Sequence, residues 1–315
     1  MMVIAADGTG DFSSLQAALD AAPADGRPVR MAMRRGVYRE KVVWTKSNIH
    51  LIAEDGARLV WGDYALQTLP NGERKDTFLT ATLLVSGSDN RIDRLTIEND
   101  AGDGRQVGQA VALYAAGDRL HLSHCRLLAC QDTLYTGPVL KKTARWTPGL
   151  DGGVADVAAP LPFQARQYYE ACFIRGDVDF IFGPYRAWFE GCTLYANARG
   201  GYYAAPNTPA DQPYGLVFHR CALTGECAPG GMYLGRPWRE AGCAAYLDCE
   251  MDACVHPLGF CDWESPFRPV TRRLCEHGST GPGAGGAGRH PAMGRLSDAE
   301  AARYTPRQVL DGWKG

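Results

Sequence analysis

The sequence predicts an all-β fold, a solenoid of the parallel β-helix type. One segment recurs along the chain, in which a short apolar stretch, two mostly polar or small residues and a cysteine precede a second short strand. Self-similarity of this kind is typical of solenoid proteins, and coils of only a few short strands fit a parallel β-helix. The five cysteines, at intervals of 47, 20, 29 and 28 residues, are Cys125, Cys172, Cys192, Cys221 and Cys249.

Two earlier segments show a similar strand-like pattern without the cysteine. Residues 48–52 and 91–97 alternate apolar with polar side chains, as half-buried strands do. Inside such coils the recurring cysteines are expected to stack as small hydrophobic residues, because burial is the usual environment of a free thiol.

Helical patterns occur near the two ends of the chain. Residues 12–22 have helical spacing, and Ser13 or Ser14 is placed to cap the helix. The segment 297–300 has a capping-box pattern and predicts a C-terminal helix at about 297–311. Short helices at the ends suit a solenoid, whose open edges need cover.

The chain is expected to form one domain over residues 1–315. Residues 136–166 contain four prolines and no repeat, and they are interpreted as an insertion within the solenoid. Residues 280–288 are rich in glycine and predict a loop.

The composition is that of an ordinary globular protein with a formal net charge of −2. A nucleic-acid-binding protein usually carries a basic excess, so no nucleic-acid partner is expected. No apolar run is long enough for a membrane helix, so no membrane partner is expected either. A monomer is predicted.

The cysteine count and the first residues bear on location. Eleven cysteines cannot all pair within one chain, and a reducing compartment is the simpler interpretation. The first eight residues lack the features of a signal peptide, which predicts a cytoplasmic protein. The alternative is a secreted or periplasmic protein, if the sequence is a trimmed form.

Two aspartates are the main candidates for chemistry. Asp132 and Asp179 each stand beside apolar residues, where ionisation is costly, at what we take to be the end of a strand segment. Adjacent coils bring residues distant in sequence close together, because neighbouring strands lie about 4.8 Å apart. Arg236 could hold one carboxylate ionised through paired hydrogen bonds. We expect these three side chains to share one groove.

Three further side chains complete the candidate constellation. Gln109 and Gln131 could direct amide donors at a developing oxyanion, and Trp238 offers a flat face on which a sugar ring could stack. No metal or organic cofactor is expected. His121, His124 and Cys125 could suggest zinc, but His124 faces away from the other two in a strand.

The motifs around these residues resemble those of the pectin methylesterase (pectinesterase) family, in the family's order and nearly from end to end. That resemblance implies a right-handed parallel β-helix and an aspartyl esterase. The motifs span residues 7–12, 36–40, 80–82, 109–113, 131–134, 179–183, 234–238 and 280–284.

The resemblance also assigns roles. It implies that Asp179 is the nucleophile and Asp132 the acid and base, that Gln109 and Gln131 stabilise the oxyanion, and that Arg236 fixes the nucleophile. The residues it implies for substrate binding are Trp238, Thr77, Gln109, Arg236 and Tyr135.

The resemblance implies hydrolysis of methyl esters on galacturonate units of pectin or methylated oligogalacturonides, with release of methanol. Two alternatives stay open from the residues alone. A β-helical glycosidase also works with two carboxylates, and a non-catalytic carbohydrate-binding solenoid needs neither. The chain departs from the family pattern in the insertion at 136–166, which bears on the length of substrate accepted.

Overall fold

The computed structural model describes residues 1–70, 72–139, 165–264 and 266–315. These residues belong to two compact units, Met1–Ala165 and Arg166–Gly315. Both units consist mainly of short parallel strands, which confirms the predicted all-β class.

The described part of the first unit has thirteen strands, two short α-helices and one 3₁₀ helix. The strands are β1 Met2–Ile4, β2 Val29–Met33, β3 Gly36–Arg39, β4 Val42–Trp44, β5 Ile49–Ala53, β6 Ala57–Trp61, β7 Leu83–Val85, β8 Arg91–Asp93, β9 Thr96–Asn99, β10 Leu113–Ala115, β11 Leu120–Ser123, β12 Arg126–Leu128 and β13 Leu134–Thr136. The helices are α1 Leu15–Ala21, the 3₁₀ helix Thr77–Leu79 and α2 Gly104–Val107.

From β2 onward, each coil of this unit contributes one strand to each of three parallel sheets, and β1 adds a further strand to the first sheet. The sheets run β1-β2-β5-β8-β11, β3-β6-β9-β12 and β4-β7-β10-β13. Register places like residues over one another, so that Leu83, Leu113 and Leu134 are aligned and fully buried. The core of the unit is therefore a set of aliphatic stacks along the solenoid.

The described part of the second unit repeats this plan with thirteen more strands and two short helices. The strands are β14 Arg166–Glu170, β15 Phe173–Gly176, β16 Ile181–Gly183, β17 Arg186–Glu190, β18 Thr193–Ala196, β19 Gly201–Pro206, β20 Leu216–His219, β21 Ala222–Gly225, β22 Met232–Gly235, β23 Ala244–Leu247, β24 Glu250–Met251, β25 Leu274–His277 and β26 Gly294–Arg295. The helices are α3 Asp298–Ala301 and α4 Pro306–Val309.

Aromatic side chains form the core of the second unit. Tyr169, Phe189, Phe218 and Tyr246 occupy one register position on β14, β17, β20 and β23. Their ring centroids are 4.6, 4.7 and 4.5 Å apart and their planes differ by 20° or less. The parallel register thus turns one buried position of the repeat into a continuous stack of rings.

The recurring cysteine marks a turn between two strands, as predicted. All five repeat cysteines are buried free thiols. The residue before each has a left-handed backbone, for example Arg220 with φ 52° and Asp248 with φ 51°. The Cys221 and Cys249 thiols donate to carbonyl oxygens one coil back, on Phe189 at 3.5 Å and Phe218 at 3.4 Å. These thiols therefore join successive coils inside the core.

The predicted helices are confirmed at the N-terminal end and corrected at the C-terminal end. Ser14 caps α1, and Ser297 forms the predicted capping box at the start of α3. The single helix expected at about 297–311 is wrong, because α3 ends at Ala301 and α4 begins at Pro306. Thr305 caps α4, and the residue before a proline disfavours the helical conformation.

The expectation for residues 136–166 falls largely on residues 140–164, which lie outside the described residues. The single-domain organisation stays a prediction. No helix among the described residues is long and apolar enough to span a membrane.

Candidate active site

The two predicted catalytic aspartates occupy the same place in their respective coils. Asp132 lies two residues before β13 and Asp179 two residues before β16, with φ angles of 64° and 51°. They are 8% and 6% exposed. The expectation that each ends a strand is corrected: each lies in the turn that precedes one. Asp tolerates the left-handed region that such a turn requires.

In the second unit, Arg236 binds the Asp179 carboxylate with two parallel hydrogen bonds. Its Nε donates to Oδ1 at 2.9 Å and its Nη2 to Oδ2 at 2.6 Å. Asp179 precedes β16 and Arg236 follows β22, with β19 paired to both strands. Gly235 lets β22 lie close to β19, since a Cβ there would lie 2.5 Å from the Ala204 carbonyl oxygen. The pairing expected from the sequence is present.

The guanidinium group of Arg236 is held between two aromatic rings. Its Cζ lies 4.0 Å from the centroid of Tyr202 and 3.7 Å from that of Trp263. Stacking of this kind favours a flat cation and fixes its orientation. The sequence analysis missed both residues. A tryptophan within the polar segment that follows Phe260 is the one signal that could have indicated Trp263.

Burial raises the pKa of Asp179 above its ordinary value of 3.8, and the bonds from Arg236 oppose the effect of burial. The net effect is a pKa above 3.8. Desolvation, which favours the protonated acid, thus outweighs the guanidinium of Arg236, which favours the carboxylate that the sequence led us to expect. A buried carboxylate with a raised pKa beside a fixed cation is typical of a functional site.

Trp238, the predicted sugar-stacking residue, lies two residues beyond Arg236. Its ring meets that of Phe182 at 5.9 Å and an angle of 65°. Its carbonyl oxygen accepts hydrogen bonds from Arg239 at 2.9 Å and Arg268 at 3.0 Å. The half-buried indole thus packs on Phe182 with the Arg239 guanidinium 5.2 Å from its ring centroid, while Arg268 binds the backbone of Trp238.

In the first unit, the backbone links the two predicted oxyanion glutamines. The Ala110 N–H, next to Gln109, donates to the Gln131 carbonyl oxygen at 3.1 Å. The Gln109 carbonyl oxygen in turn accepts from the Ala65 N–H at 2.9 Å. Gln131 directly precedes Asp132, so these three predicted site residues occupy adjoining coils of one unit.

The remaining two predicted substrate contacts, Thr77 and Tyr135, belong to the same unit. Thr77 begins the 3₁₀ helix and is half-buried. Tyr135 is only 2% exposed and its ring packs edge-on against Phe78 at 4.9 Å and Tyr114 at 4.7 Å. Packing is what the structure shows for Tyr135, and its substrate contact stays a prediction.

The candidate residues thus divide between the units, and the expected shared groove of Asp132, Asp179 and Arg236 stays a prediction apart from the observed ion pair. Among the described residues, no three His, Cys, Asp or Glu side chains are grouped to hold a metal ion. A buried carboxylate paired with a fixed cation on a β-helical scaffold is the kind of site used by hydrolases that work with carboxylates.

Comparison with known proteins is consistent with that class. A sequence profile described as Pectinesterase matches residues 1–139 and 161–313, and the gap between these ranges falls within the predicted insertion. The chain belongs to the pectinesterase family. It is 30% identical over 321 residues to Pectinesterase 31 of Arabidopsis thaliana, covering 99% of this chain and 92% of that one.

Other relatives are longer than this chain. Identity to Pectinesterase 1 of Citrus sinensis is 31%, over 99% of this chain but 51% of that protein. The chain therefore spans about half the length of some of the relatives it matches.

Solved structures agree with the fold. The pectin methylesterase from carrot superposes with a TM-score of 0.82 at 26% identity, covering 99% of this chain and 93% of that one. The pectin methylesterase from Erwinia chrysanthemi gives 0.77 at 26%, covering 99% and 97%. The fold is the right-handed parallel β-helix that the resemblance implied.

Proposed function

We propose that this protein removes methyl groups from methyl-esterified galacturonate units of pectin or pectic oligosaccharides, through an acyl-enzyme on Asp179. The observation that carries the proposal is the buried Asp179 carboxylate, which Arg236 holds in a two-point ion pair. Family membership supports the reaction class. A pectin methylesterase of similar fold has been solved in complex with a hexasaccharide, at 26% identity and a TM-score of 0.78, which supports an extended pectic substrate.

In the first half-reaction, one Asp179 oxygen attacks the ester carbonyl carbon. The carbonyl electrons move to the oxygen, where the amide groups of Gln109 and Gln131 stabilise the negative charge. As the tetrahedral intermediate collapses, protonated Asp132 gives its proton to the departing methoxide and methanol leaves. An acid anhydride between Asp179 and the galacturonate remains.

In the second half-reaction, ionised Asp132 takes a proton from water, and the resulting hydroxide attacks the anhydride. Breakdown releases free galacturonate and restores the Asp179 carboxylate, while Asp132 has regained its proton. Arg236 stays paired with Asp179 in the resting state and orients it for the attack. The atoms and charges balance over the cycle, since ester and water become acid and methanol.

The test is a paired assay on methylated pectin and on short methylated oligogalacturonides. We expect methanol to appear with no new reducing ends. A glycosidase would give reducing ends instead, and a binding solenoid would give neither product. Either of those results would overturn the proposed reaction.

A further inference from the structure

Three charged side chains are buried together in the first unit, outside the residues assigned above. Lys41, Asp63 and Lys75 are 6%, 7% and 3% exposed. The Lys75 ammonium lies 2.9 Å from Asp63 Oδ2, and Lys41 donates to the same oxygen. Burial on its own would raise the pKa of Asp63, but the two ammonium groups outweigh burial and lower it. Burying charged groups costs desolvation free energy, so we expect this cluster to serve a purpose beyond stability.

The cluster fastens the connection between β6 and β7, residues 62–70 and 72–82, which we call the anchored loop. Lys41 Nζ also donates to the Leu79 carbonyl oxygen at 2.6 Å, at the end of the 3₁₀ helix. Buried Asn99 joins the two ends of the loop, since its Nδ2 donates to the carbonyl oxygens of Asp63 at 2.9 Å and Thr80 at 3.1 Å. The loop is thus held at its start, its end and its helix.

The anchored loop contacts the predicted machinery directly. Ala65 lies two residues after Asp63, and its N–H donates to the Gln109 carbonyl oxygen. Thr77 lies on the loop's 3₁₀ helix, and the ring of Phe78 packs on Tyr135 at 4.9 Å. A shift of the loop would therefore displace an oxyanion donor and a predicted substrate contact together.

We propose that Lys41, Asp63 and Lys75 are positioning residues for this reaction: their buried ion cluster sets the place of Gln109 and Thr77 through the anchored loop. The inference rests on the proposed function. None of the three needs to touch the substrate. The catalytic effect arises because an oxyanion donor acts only when it is fixed at the right distance.

The experiment compares Asp63→Asn with Glu276→Gln. Glu276 is the matched control, because it forms a buried ion pair with Arg289 at 2.8 Å in the second unit, and its hydrogen-bond partners, Gly285 and Arg289, have no assigned role. Both substitutions remove one buried carboxylate and keep its shape. We expect Asp63→Asn to lower kcat by about tenfold or more with a smaller change in KM, measured on fully folded protein. Glu276→Gln should lower only the thermal midpoint.

Lys41→Met provides a second variant if Asp63→Asn does not fold. It leaves a one-to-one pair of Asp63 with Lys75 but removes the hydrogen bond to Leu79, so kcat should again fall. Normal kcat and KM in the folded Asp63 or Lys41 variant would overturn the proposal, as would an equal kcat loss in Glu276→Gln.

Hydrogen exchange separates this inference from the proposed function, because it needs no activity. In Asp63→Asn, backbone amides of residues 64–70, 72–80 and 107–113 should exchange faster than in the parent protein, and in Glu276→Gln they should not. If the parent protein released no methanol while this difference held, the proposed function would fail and the positioning cluster would stand as a structural link. Unchanged exchange in Asp63→Asn would refute the link itself.

Discussion

Asp179 experiences two opposed effects at once. Its carboxylate is buried, which favours the neutral acid, and it accepts two bonds from Arg236, which favour the anion. Because burial prevails, its pKa lies above 3.8. A carboxylate of this kind is a stronger nucleophile than a solvated one, but it is available only when the pH is high enough to remove its proton.

The first prediction concerns the nucleophile itself. Asp179→Asn should lower methanol release by about 10³-fold or more, because the amide cannot form the anhydride. Asn tolerates the left-handed backbone at this position, so the circular dichroism spectrum should not change. Asp248→Asn is the matched control, an exposed aspartate with the same φ of 51°. Turnover near that of the parent in Asp179→Asn would remove the residue as nucleophile.

The second prediction concerns pH. Activity should fall as the pH drops through the pKa of Asp179, since protonation removes the nucleophile. Arg236→Gln removes the cation that lowers this pKa, so the acid limb of the kcat profile should move up by about 1–3 pH units. Arg236→Lys keeps the charge and should move it less. If the acid limb lay at the same pH in the parent protein and in Arg236→Gln, it would not report the ionisation of Asp179.

The sequence could predict the pairing of Asp179 and Arg236 because both residues lie within specific motifs. It could not predict the sandwich of Tyr202 and Trp263 around the guanidinium, since those rings come from segments with no such pattern. The positive φ at Asp132 and Asp179 was also hidden, because strand alternation reports which face a side chain occupies and not the conformation of the turn. Tertiary position decided each of these features.

At the scale of the element, the recurring cysteine segment predicted two strands of each coil and the turn between them. The strand–turn–cysteine–strand order is observed in β11 and β12 and in the four later pairs. Most strands of the third sheet, such as β10 and β16, are only three residues long and buried throughout. Short apolar runs of this kind show no alternation of apolar and polar residues, and so the sequence did not predict these strands separately.

The third prediction tests the stack of rings in the second unit. Phe218 is fully buried between Phe189 and Tyr246. Phe218→Ala should lower the free energy of unfolding by about 3–5 kcal/mol, measured by chemical denaturation, because it opens a cavity in the stack. Phe267, which is 73% exposed, gives the control, and Phe267→Ala should stay within about 0.5 kcal/mol. Equal effects at both positions would contradict this account of the core.

At the scale of the whole molecule, the thiols give a simple test of the packing. All eleven cysteines are free, and eight of them are buried. Burial raises the pKa of the half-buried Cys227 thiol to about 12 and that of Cys261 to about 11. Thiols of this kind are poor nucleophiles at neutral pH, because little thiolate is present.

The fourth prediction follows from that arrangement. Iodoacetamide in denaturant, without reductant, should add eleven groups to the chain. The native protein should react only at Cys130, Cys227 and Cys261, and slowly. Intact mass spectrometry measures both counts. Modification of the repeat cysteines in the native state would show that the solenoid opens far more often than its packing indicates.

The left-handed turn at Asp132 and Asp179 limits where this chemistry could be transplanted within the repeat. One coil earlier, the position equivalent to Asp132 lies two residues before β10. It is occupied by Val111, which does not have a positive φ. Mutating it to aspartate would supply a carboxylate aimed in another direction. Placing the reactive group on another coil therefore requires rebuilding the bend of the backbone as well as changing the side chain.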